Sequence, residues 1–209
     1  MKKYDEIKVK VYKKKIIVMS LLIIFIIGII FGSIYISILD NHNKKLVMDS
    51  VKNYIYSFNK IDFSSRLGIF KNSLLKNLSF FISIWLLGIS IIGLPVIVIM
   101  IFTKAFITGF SISSLFAVYK FKGLLGIIFY IFPSNIIFIL YALFLGAYSI
   151  DLSIKLFKHA FKKQNFNFNY YMNKYIFLLL ISILLSVILA LFDAFLSPVL
   201  FKLFTNIIK

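Results

Sequence analysis

The sequence predicts an all-α protein, a polytopic transmembrane helical bundle with about five hydrophobic segments. Of its 209 residues, 61% are hydrophobic and only 15% are charged, whereas roughly a quarter of the residues of an average soluble domain are charged. The apolar residues form runs long enough to cross a bilayer, and the basic residues lie mainly between these runs. We therefore expect residues 1–209 to form a single integral membrane domain with lipid as its solvent.

The strong positive charge of the chain has two interpretations. The net charge is +17, from 24 Lys and Arg against 7 Asp and Glu. In a soluble protein this charge would indicate binding to nucleic acid. Because the basic residues here border apolar runs, attraction to anionic lipid headgroups is the simpler interpretation. Membrane lipid is therefore an expected partner, and nucleic acid and small-molecule substrates are not.

The first span is predicted over residues 16–39, which contain no charged side chain. At ~1.5 Å per residue this run is ~36 Å long, enough to cross a hydrocarbon core of ~30 Å. Seven lysines precede it, which places the N-terminus in the cytoplasm by the positive-inside rule. The run exceeds the ~7–15 apolar residues of a signal peptide, so we expect an uncleaved anchor.

Residues 40–78 form the longest polar stretch and are predicted to be an amphipathic extracytoplasmic loop. Apolar residues recur at helical spacing from Val47 to Phe58 and again from Leu67 to Leu78. Two helices with apolar faces are therefore expected. They could lie on the membrane surface or pack on the extracytoplasmic face of the protein itself.

Four further spans complete the predicted bundle, over residues 79–102, 105–119, 123–150 and 175–199. The second span has Pro95 inside it. The third has only 15 residues, or ~22 Å of helix, and is expected to be tilted, re-entrant, or lengthened by Thr103 and Phe121 with the flanking lysines reaching toward the headgroups. The fourth is interrupted by Pro133, which predicts a break near Phe132. The distribution of basic residues barely separates five crossings from four, and we favour five.

The sequence offers no constellation that supports catalysis or metal binding. The two histidines, His42 and His159, have no second ligand at helical spacing. Ser111 lies in a stretch that resembles a nucleophile elbow but lacks the second glycine and a nearby base. We therefore predict no enzyme activity, no catalytic residue, no cofactor and no metal. An intramembrane hydrolase that uses Ser111 and His159 is the least favoured alternative.

One acidic residue and three pairs of small residues at four-residue spacing stand out inside the predicted spans. The pairs are Gly28 with Gly32, Ser33 with Ser37, and Ala142 with Gly146. Asp193 is a functional candidate because ionisable residues inside a membrane are costly, although it could also lie at the interface. Gly28 and Gly32 form a GxxxG pattern in the first span, which allows two helix backbones to approach closely. The partner helix could belong to the same chain or to another protein.

A more specific pattern runs through the middle of the chain. Residues 85–95 read WLLGISIIGLP, residues 103–111 read TKAFITGFS, Lys122-Gly123 follows, and residues 132–135 read FPSN. This order of motifs resembles the stage II sporulation protein M family. Its members carry Gly-x-Pro, Lys-Gly-x-x-x-Gly-Phe, Lys-Gly and Pro-x-Asn, one after another along the chain. The departure is Ala105, where the family pattern has glycine. The order of spans is similar over nearly the whole chain.

The resemblance implies a role in endospore formation. It implies a multispanning protein on the mother-cell side of the sporulation septum that anchors two partners, the stage II sporulation proteins D and P. These partners cut peptidoglycan during engulfment of the forespore, and the M protein is a scaffold for them. The candidate structural or partner-binding residues are Gly28, Gly32, Gly93, Pro95, Lys104, Gly109, Gly123, Pro133 and Asn135. The alternative is a small membrane transporter or channel, because short and proline-interrupted spans are typical of transporters.

Overall fold

The computed structural model describes the backbone of residues 2–58, 63–90, 92–128, 132–162, 168–200 and 202, with side chains over slightly shorter ranges. Within these residues the chain is helical and has no strand. The described residues form the α-helices α1 (Lys2–Ile38), α2 (Asn41–Phe58), α3 (Phe63–Ile89), α4 (Gly93–Tyr119), α5 (Phe121–Gly126), α6 (Phe132–Lys162) and α7 (Phe168–Leu191), and a π-helical turn (Phe192–Leu196) continues α7.

In the part of the chain that the structure describes, five helices are long and apolar enough to cross a membrane, which confirms the predicted fold class. These segments are Lys14–Ile38, Ser65–Ile89, Gly93–Tyr119, Ser134–Phe161 and Asn169–Leu200. They pack around a core that draws on all five. Phe81, Ile97 and Leu145 are fully buried in it. Since lipid tails are as apolar as these side chains, the bundle is held together by close packing and interhelical hydrogen bonds.

The spanning helices alternate in direction between two ends of the bundle. At the end of the bundle where the spanning part of α1 begins, the Lys14 ammonium lies 3.4 Å from the centroid of the Tyr148 ring of α6. At the same end, the Ser153 hydroxyl donates to the Ser90 carbonyl at 2.8 Å. At the opposite end, the Ser73 hydroxyl donates to the Asp193 carboxylate at 2.5 Å. We call these the Lys14 end and the Ile38 end. Helices α1, α4 and α7 run toward the Ile38 end, and α3 and α6 run back.

The predicted spans 79–102 and 105–119 are wrong in their boundaries. The helix that begins before residue 79 ends at Ile89, and α4 begins at Gly93 and continues without a break to Tyr119. Pro95 therefore lies in the first turn of α4, where its missing N–H costs no helical hydrogen bond. The run 105–119 is the second half of a 27-residue helix and is neither short nor re-entrant. Hydropathy misses this boundary because the residues on both sides of it are apolar.

The predicted loop 40–78 is also wrong in its second half. Helix α2 occupies its first half, but the segment after Phe63 is the beginning of α3 and belongs to a candidate span. The apolar stripe from Leu67 to Leu78 continues along the same helix into the apolar run after Ser79. Lys71 and Lys76 are exposed, and their long side chains can reach toward polar headgroups.

Helix α6 extends beyond its predicted end. It begins at Phe132, beside Pro133, as expected for a break at that position, but it continues past residue 150 to Lys162. The basic segment 151–174 is therefore largely helical. Within α6, Lys155 and Asp151 form an ion pair one turn apart at 2.5 Å, and the Lys155 ammonium lies 4.4 Å from the centroid of the Tyr171 ring of α7. Hydropathy located the end of the apolar run rather than the end of the helix.

The π-helical turn in the last span has a local cause. Pro198 has no N–H to donate to the carbonyl four residues earlier, and its ring crowds that carbonyl. The Ser197 N–H correspondingly donates to the Phe192 carbonyl, five residues back. The wider turn contains Asp193, the acidic residue that the sequence singled out.

The turn between α4 and α5 offers a test of backbone strain. Lys120 has φ 51° and ψ −131°, a conformation that glycine adopts more easily than a residue with a Cβ. We expect Lys120→Gly to raise the free energy of unfolding by about 1 kcal/mol, measured by SDS titration in mixed micelles with circular dichroism. Lys122→Gly is the matched control and should be destabilising, because Lys122 lies inside α5. A Lys120→Gly variant that is less stable than the wild type would contradict the predicted backbone strain at Lys120.

Candidate functional site

The small residues of α1 and α4 allow close contact between the backbones of these two helices. A Cβ on Gly32 would overlap the Phe106 carbonyl oxygen and lie 2.9 Å from the Phe110 nitrogen, and a Cβ on Gly109 would overlap the Ile29 carbonyl oxygen. All three clashing atoms belong to backbone, which cannot move aside as a side chain can. Glycine is therefore required at both positions for the two helices to pack at this distance.

Two hydrogen bonds between serine side chains and backbone carbonyls also join α1 and α4 at this contact. The Ser33 hydroxyl donates to the Gly109 carbonyl at 3.2 Å, and the Ser113 hydroxyl donates to the Ser33 carbonyl at 2.8 Å. We call Gly28, Gly32, Ser33, Gly109 and Ser113 the glycine seam. The GxxxG pattern of α1 is thus used within the chain, and its glycines are buried. They are not available for pairing with another protein in this arrangement.

The departure from the family pattern at Ala105 is explained by the residue opposite it. Ala105 is fully buried, and a Cβ on Gly28 would lie 2.7 Å from the Ala105 Cβ. One of the two positions can therefore carry a methyl group only if the other carries none. Gly28 supplies the space, so alanine at position 105 leaves the helix contact intact.

Gly93 and Pro95 form the turn between α3 and α4. The Gly93 N–H donates to the Ser90 carbonyl at 3.2 Å, and a Cβ on Gly93 would overlap the Leu87 carbonyl oxygen. The Ser90 carbonyl also accepts the Ser153 hydroxyl of α6. The Gly-x-Pro pattern thus marks a reversal of the chain at the Lys14 end, with its carbonyl bonded by protein as the membrane requires.

Gly123 and Pro133 lie at the Ile38 end. A Cβ on Gly123 would be 2.6 Å from the Leu115 carbonyl oxygen, because α5 folds back against α4. The residue with positive φ in this reversal is Lys120 and not Gly123, so Gly123 serves close approach. Pro133 is the second residue of α6, and its side chain lies outside the described residues.

An aromatic knot that sequence reasoning missed joins α3, α6 and α7. The Trp85 and Tyr175 rings are stacked, with centroids 5.2 Å apart and planes at 13°. Trp85 Nε1 donates to the Tyr175 carbonyl at 2.9 Å, and the Tyr175 hydroxyl donates to the Trp85 carbonyl at 2.8 Å. Ser149 Oγ lies 2.7 Å from the same hydroxyl. A Cβ on Gly88 would overlap the Tyr175 hydroxyl. Trp85 and Gly88 both lie in the motif at residues 85–95, which was the sequence signal that could have indicated this contact.

Lys104 and Asn135 come together in a pocket between α2, α4 and the start of α6. The cavity measures about 600 Å³, and we call it the α2–α4 pocket. The Lys104 ammonium lies 4.2 Å from the centroid of the Phe138 ring, which is a cation–π contact. The pocket is lined by Leu46, Val47, Ser50, Val51, Tyr54, Ile55, Lys104, Ile107, Thr108, Phe110, Ser111, Ser114, Leu115 and Asn135.

The hydroxyl groups on the α4 wall of this pocket already donate to their own helix. Thr108 Oγ1 donates to the Lys104 carbonyl at 2.9 Å, Ser111 Oγ to the Ile107 carbonyl at 2.8 Å, and Ser114 Oγ to the Phe110 carbonyl at 2.6 Å. Their oxygens can still accept hydrogen bonds from a ligand in the pocket. Lys104 therefore brings the positive charge of the pocket, and none of the described residues that line it is acidic.

Asp193 lies near this pocket but is engaged elsewhere. Its carboxylate accepts the Ser73 hydroxyl at 2.5 Å, and the Asn77 amide donates to Ser73 at 3.2 Å. Asp193 and Lys104 also attract each other electrostatically. The acidic residue is therefore bonded to α3 rather than exposed to lipid, and it partly balances a lysine inside the membrane.

Ser111 and His159 are far apart, which disfavours the hydrolase alternative. Ser111 and Asn135 line the same pocket, whereas His159 lies near the other end of α6. At ~1.5 Å per residue, Asn135 and His159 are separated by roughly 36 Å along that helix. A nucleophile and its base must be within hydrogen-bonding distance. Among the described residues, no group of three or more His, Cys, Asp or Glu could hold a metal ion.

Comparison with protein families decides the classification. The family model for stage II sporulation protein M matches residues 21–198. The chain belongs to the stage II sporulation protein M family. The match begins in α1 and ends after the π-helical turn, so it includes part or all of each spanning helix. This family member is a sporulation-related, multi-pass membrane protein. No curated protein and no solved structure matches it.

Proposed function

We propose that this stage II sporulation protein M family member is a membrane scaffold that assembles peptidoglycan-cutting partners at the sporulation septum during engulfment. The supporting observation is the family match over residues 21–198. The partners would be the stage II sporulation proteins D and P, and the chain itself would not be a hydrolase. A bundle whose small residues and buried hydroxyls are used in internal packing suits a scaffold, because it presents a fixed surface.

The proposed location is the mother-cell side of the septum, with the N-terminus in the cytoplasm. Seven lysines before the first span support this orientation. The Ile38 end, with α2 and α5, would then face the compartment that contains the peptidoglycan. Asn41→Cys and Phe121→Cys should react with a membrane-impermeant thiol reagent added outside intact cells, and Phe161→Cys should not. The chain has no native cysteine, so the background is clean.

The exposed aromatic residues at the Ile38 end are the proposed contact surface for the partners. Tyr56 of α2 and Phe121 of α5 are 71% and 80% exposed. Large apolar side chains exposed to water commonly mark protein interaction sites. We expect Tyr56→Glu combined with Phe121→Glu to reduce co-purification of proteins D and P at least tenfold, which corresponds to ~1.4 kcal/mol. The measurement is quantitative immunoblotting after detergent solubilisation of sporulating cells.

Phe161→Glu is the matched control for this experiment. Phe161 is 69% exposed, much like Tyr56, but it lies at the Lys14 end. Its replacement should leave co-purification unchanged. The proposed function fails if neither partner accompanies the tagged wild-type chain and engulfment proceeds in cells that lack the gene.

The alternative function, a transporter or channel, has one feature in its favour. Lys104, Thr108 and Asn135 converge on the α2–α4 pocket, as polar residues do along a transport pathway. Toward the Lys14 end, however, the way is filled by Leu21, Ile97, Ile101 and Leu145, each at most 2% exposed. A solute would have to cross this packed layer. Flux into proteoliposomes that is lost in Asn135→Ala or Asp193→Asn would favour the alternative.

A further inference from the structure

We propose that the α2–α4 pocket binds one anionic lipid from the surrounding bilayer, with its charged headgroup at Lys104 and an acyl chain along the apolar wall. This inference does not depend on the scaffold function. It rests on the shape of the pocket, on the position of its lysine within a spanning helix, and on the charges that surround that lysine.

The pocket has the size and lining of a site for an amphiphile. A volume of about 600 Å³ falls within the ~300–1,000 Å³ that is usual for small-molecule sites. One wall is apolar, formed by Leu46, Val47, Val51, Ile55, Ile107 and Leu115. Ser50, Thr108, Ser111 and Ser114 give the same pocket a polar stripe. An acyl chain matches the first surface, and a headgroup with glycerol hydroxyls matches the second.

The position of Lys104 favours a ligand that comes from the bilayer. Lys104 is 11 residues after Gly93 and 15 before Tyr119, which at ~1.5 Å per residue is roughly 16 Å and 22 Å from the two ends of α4. A free inorganic anion would have to leave water to reach it. The phosphate of a lipid must leave water as well, but its acyl chain already lies in the hydrocarbon and gains contact with the apolar wall of the pocket.

The charges around Lys104 favour an anion. A lysine within a spanning helix is costly and usually has a functional partner. Among the described residues, the Lys104 ammonium has a ring contact with Phe138 and a longer-range attraction to Asp193. The Asp193 carboxylate is already bonded by Ser73. An ammonium group offers three donors, so a phosphate in the pocket would gain charge-assisted hydrogen bonds, as lipid headgroups do in basic pockets between membrane helices.

Native mass spectrometry of the full chain in detergent tests the proposal. We expect the wild type to retain one phosphatidylglycerol per chain, about tenfold more strongly than phosphatidylcholine with the same acyl chains. Lys104→Met should lower phosphatidylglycerol retention to the phosphatidylcholine level, and Lys104→Arg should preserve it. Lys120→Met, which removes an exposed lysine that does not line the pocket, should behave like the wild type.

A second variant tests the pocket without removing charge. Ser50 is exposed and lines the pocket, so Ser50→Trp should fill it from outside and reduce retention about as much as Lys104→Met. Circular dichroism and gel filtration show which variants are folded. If Lys104→Met is not folded, lipid retention by Ser50→Trp decides the test. Unchanged retention in the folded variants overturns the proposal. Equal retention of phosphatidylcholine, or displacement of the lipid by millimolar phosphate or by an acidic partner peptide, overturns it as well.

Discussion

Trp85→Ala is expected to lower the free energy of unfolding by about 3 kcal/mol, at the lower end of the range for such a truncation. The substitution removes the ring that stacks on Tyr175 and the Nε1 donor that bonds the Tyr175 carbonyl. It leaves a cavity where α3 meets α7. Lipid tails are as apolar as the lost ring, so the loss comes from packing and hydrogen bonding rather than from transfer to water.

The measurement is SDS titration in mixed micelles followed by circular dichroism, because Trp85 is the only tryptophan and its fluorescence disappears with it. Leu86→Ala is the matched control. Leu86 is adjacent in sequence but 56% exposed, so its truncation should cost less than about 1 kcal/mol. Trp85→Phe should fall between the two, because it keeps a stacked ring and loses the hydrogen bond, which in membranes is worth about 0.6 kcal/mol on average. Equal stability of the two alanine variants would show that the aromatic knot does not stabilise the bundle.

Gly32→Ala is expected to destabilise the bundle by about 2–3 kcal/mol, and Gly32→Leu to prevent native packing of α1 on α4. The added Cβ meets the Phe106 carbonyl oxygen and the Phe110 nitrogen, so the helices must separate. Separation also lengthens the two serine hydrogen bonds of the glycine seam. The effect therefore comes from backbone atoms that have no alternative position.

Gly68→Ala provides the control for this substitution. Gly68 also lies in a spanning helix, but a Cβ there would meet nothing within 4 Å. Alanine should be neutral or stabilising by about 0.5–1 kcal/mol, since it restricts the unfolded backbone and favours the helix. The comparison uses the SDS titration with Trp85 fluorescence as the readout. If Gly32→Ala proves as stable as Gly68→Ala, the close contact between α1 and α4 does not exist in the membrane.

The spans were predicted well where a change in charge coincides with a change in structure. The first span was predicted over residues 16–39, and α1 has its apolar segment at Lys14–Ile38, because lysines end abruptly where lipid begins. The boundary between α3 and α4 was missed because Ser90, Ile91 and Ile92 are nearly as apolar as the helices beside them. Gly93 and Pro95 carried the information, but a proline inside an apolar run predicts either a kink or a turn.

The candidate residues were found in part, for a related reason. Glycine spacing indicated a close helix contact, and Gly28, Gly32 and Gly109 do lie in one. Lys104 and Asn135 were singled out separately, and only the packing of α2 and α6 against α4 brings them into one pocket. Tyr175 was predicted only as the first residue of an apolar run. Its hydrogen bonds to α3 and α6 were missed because they join residues 90 and 26 positions apart in the sequence.

By itself the sequence determined the solvent of this protein, its all-helical fold class and the family resemblance that the family match confirms. These properties follow from residues close together in the chain, because each segment partitions into lipid according to its own composition. The tertiary structure decided which helices meet, that the glycines of α1 serve α4 of the same chain, and that a lysine faces a pocket. In lipid, pairing depends on shape and on single hydrogen bonds between distant residues, and neither is visible in hydropathy.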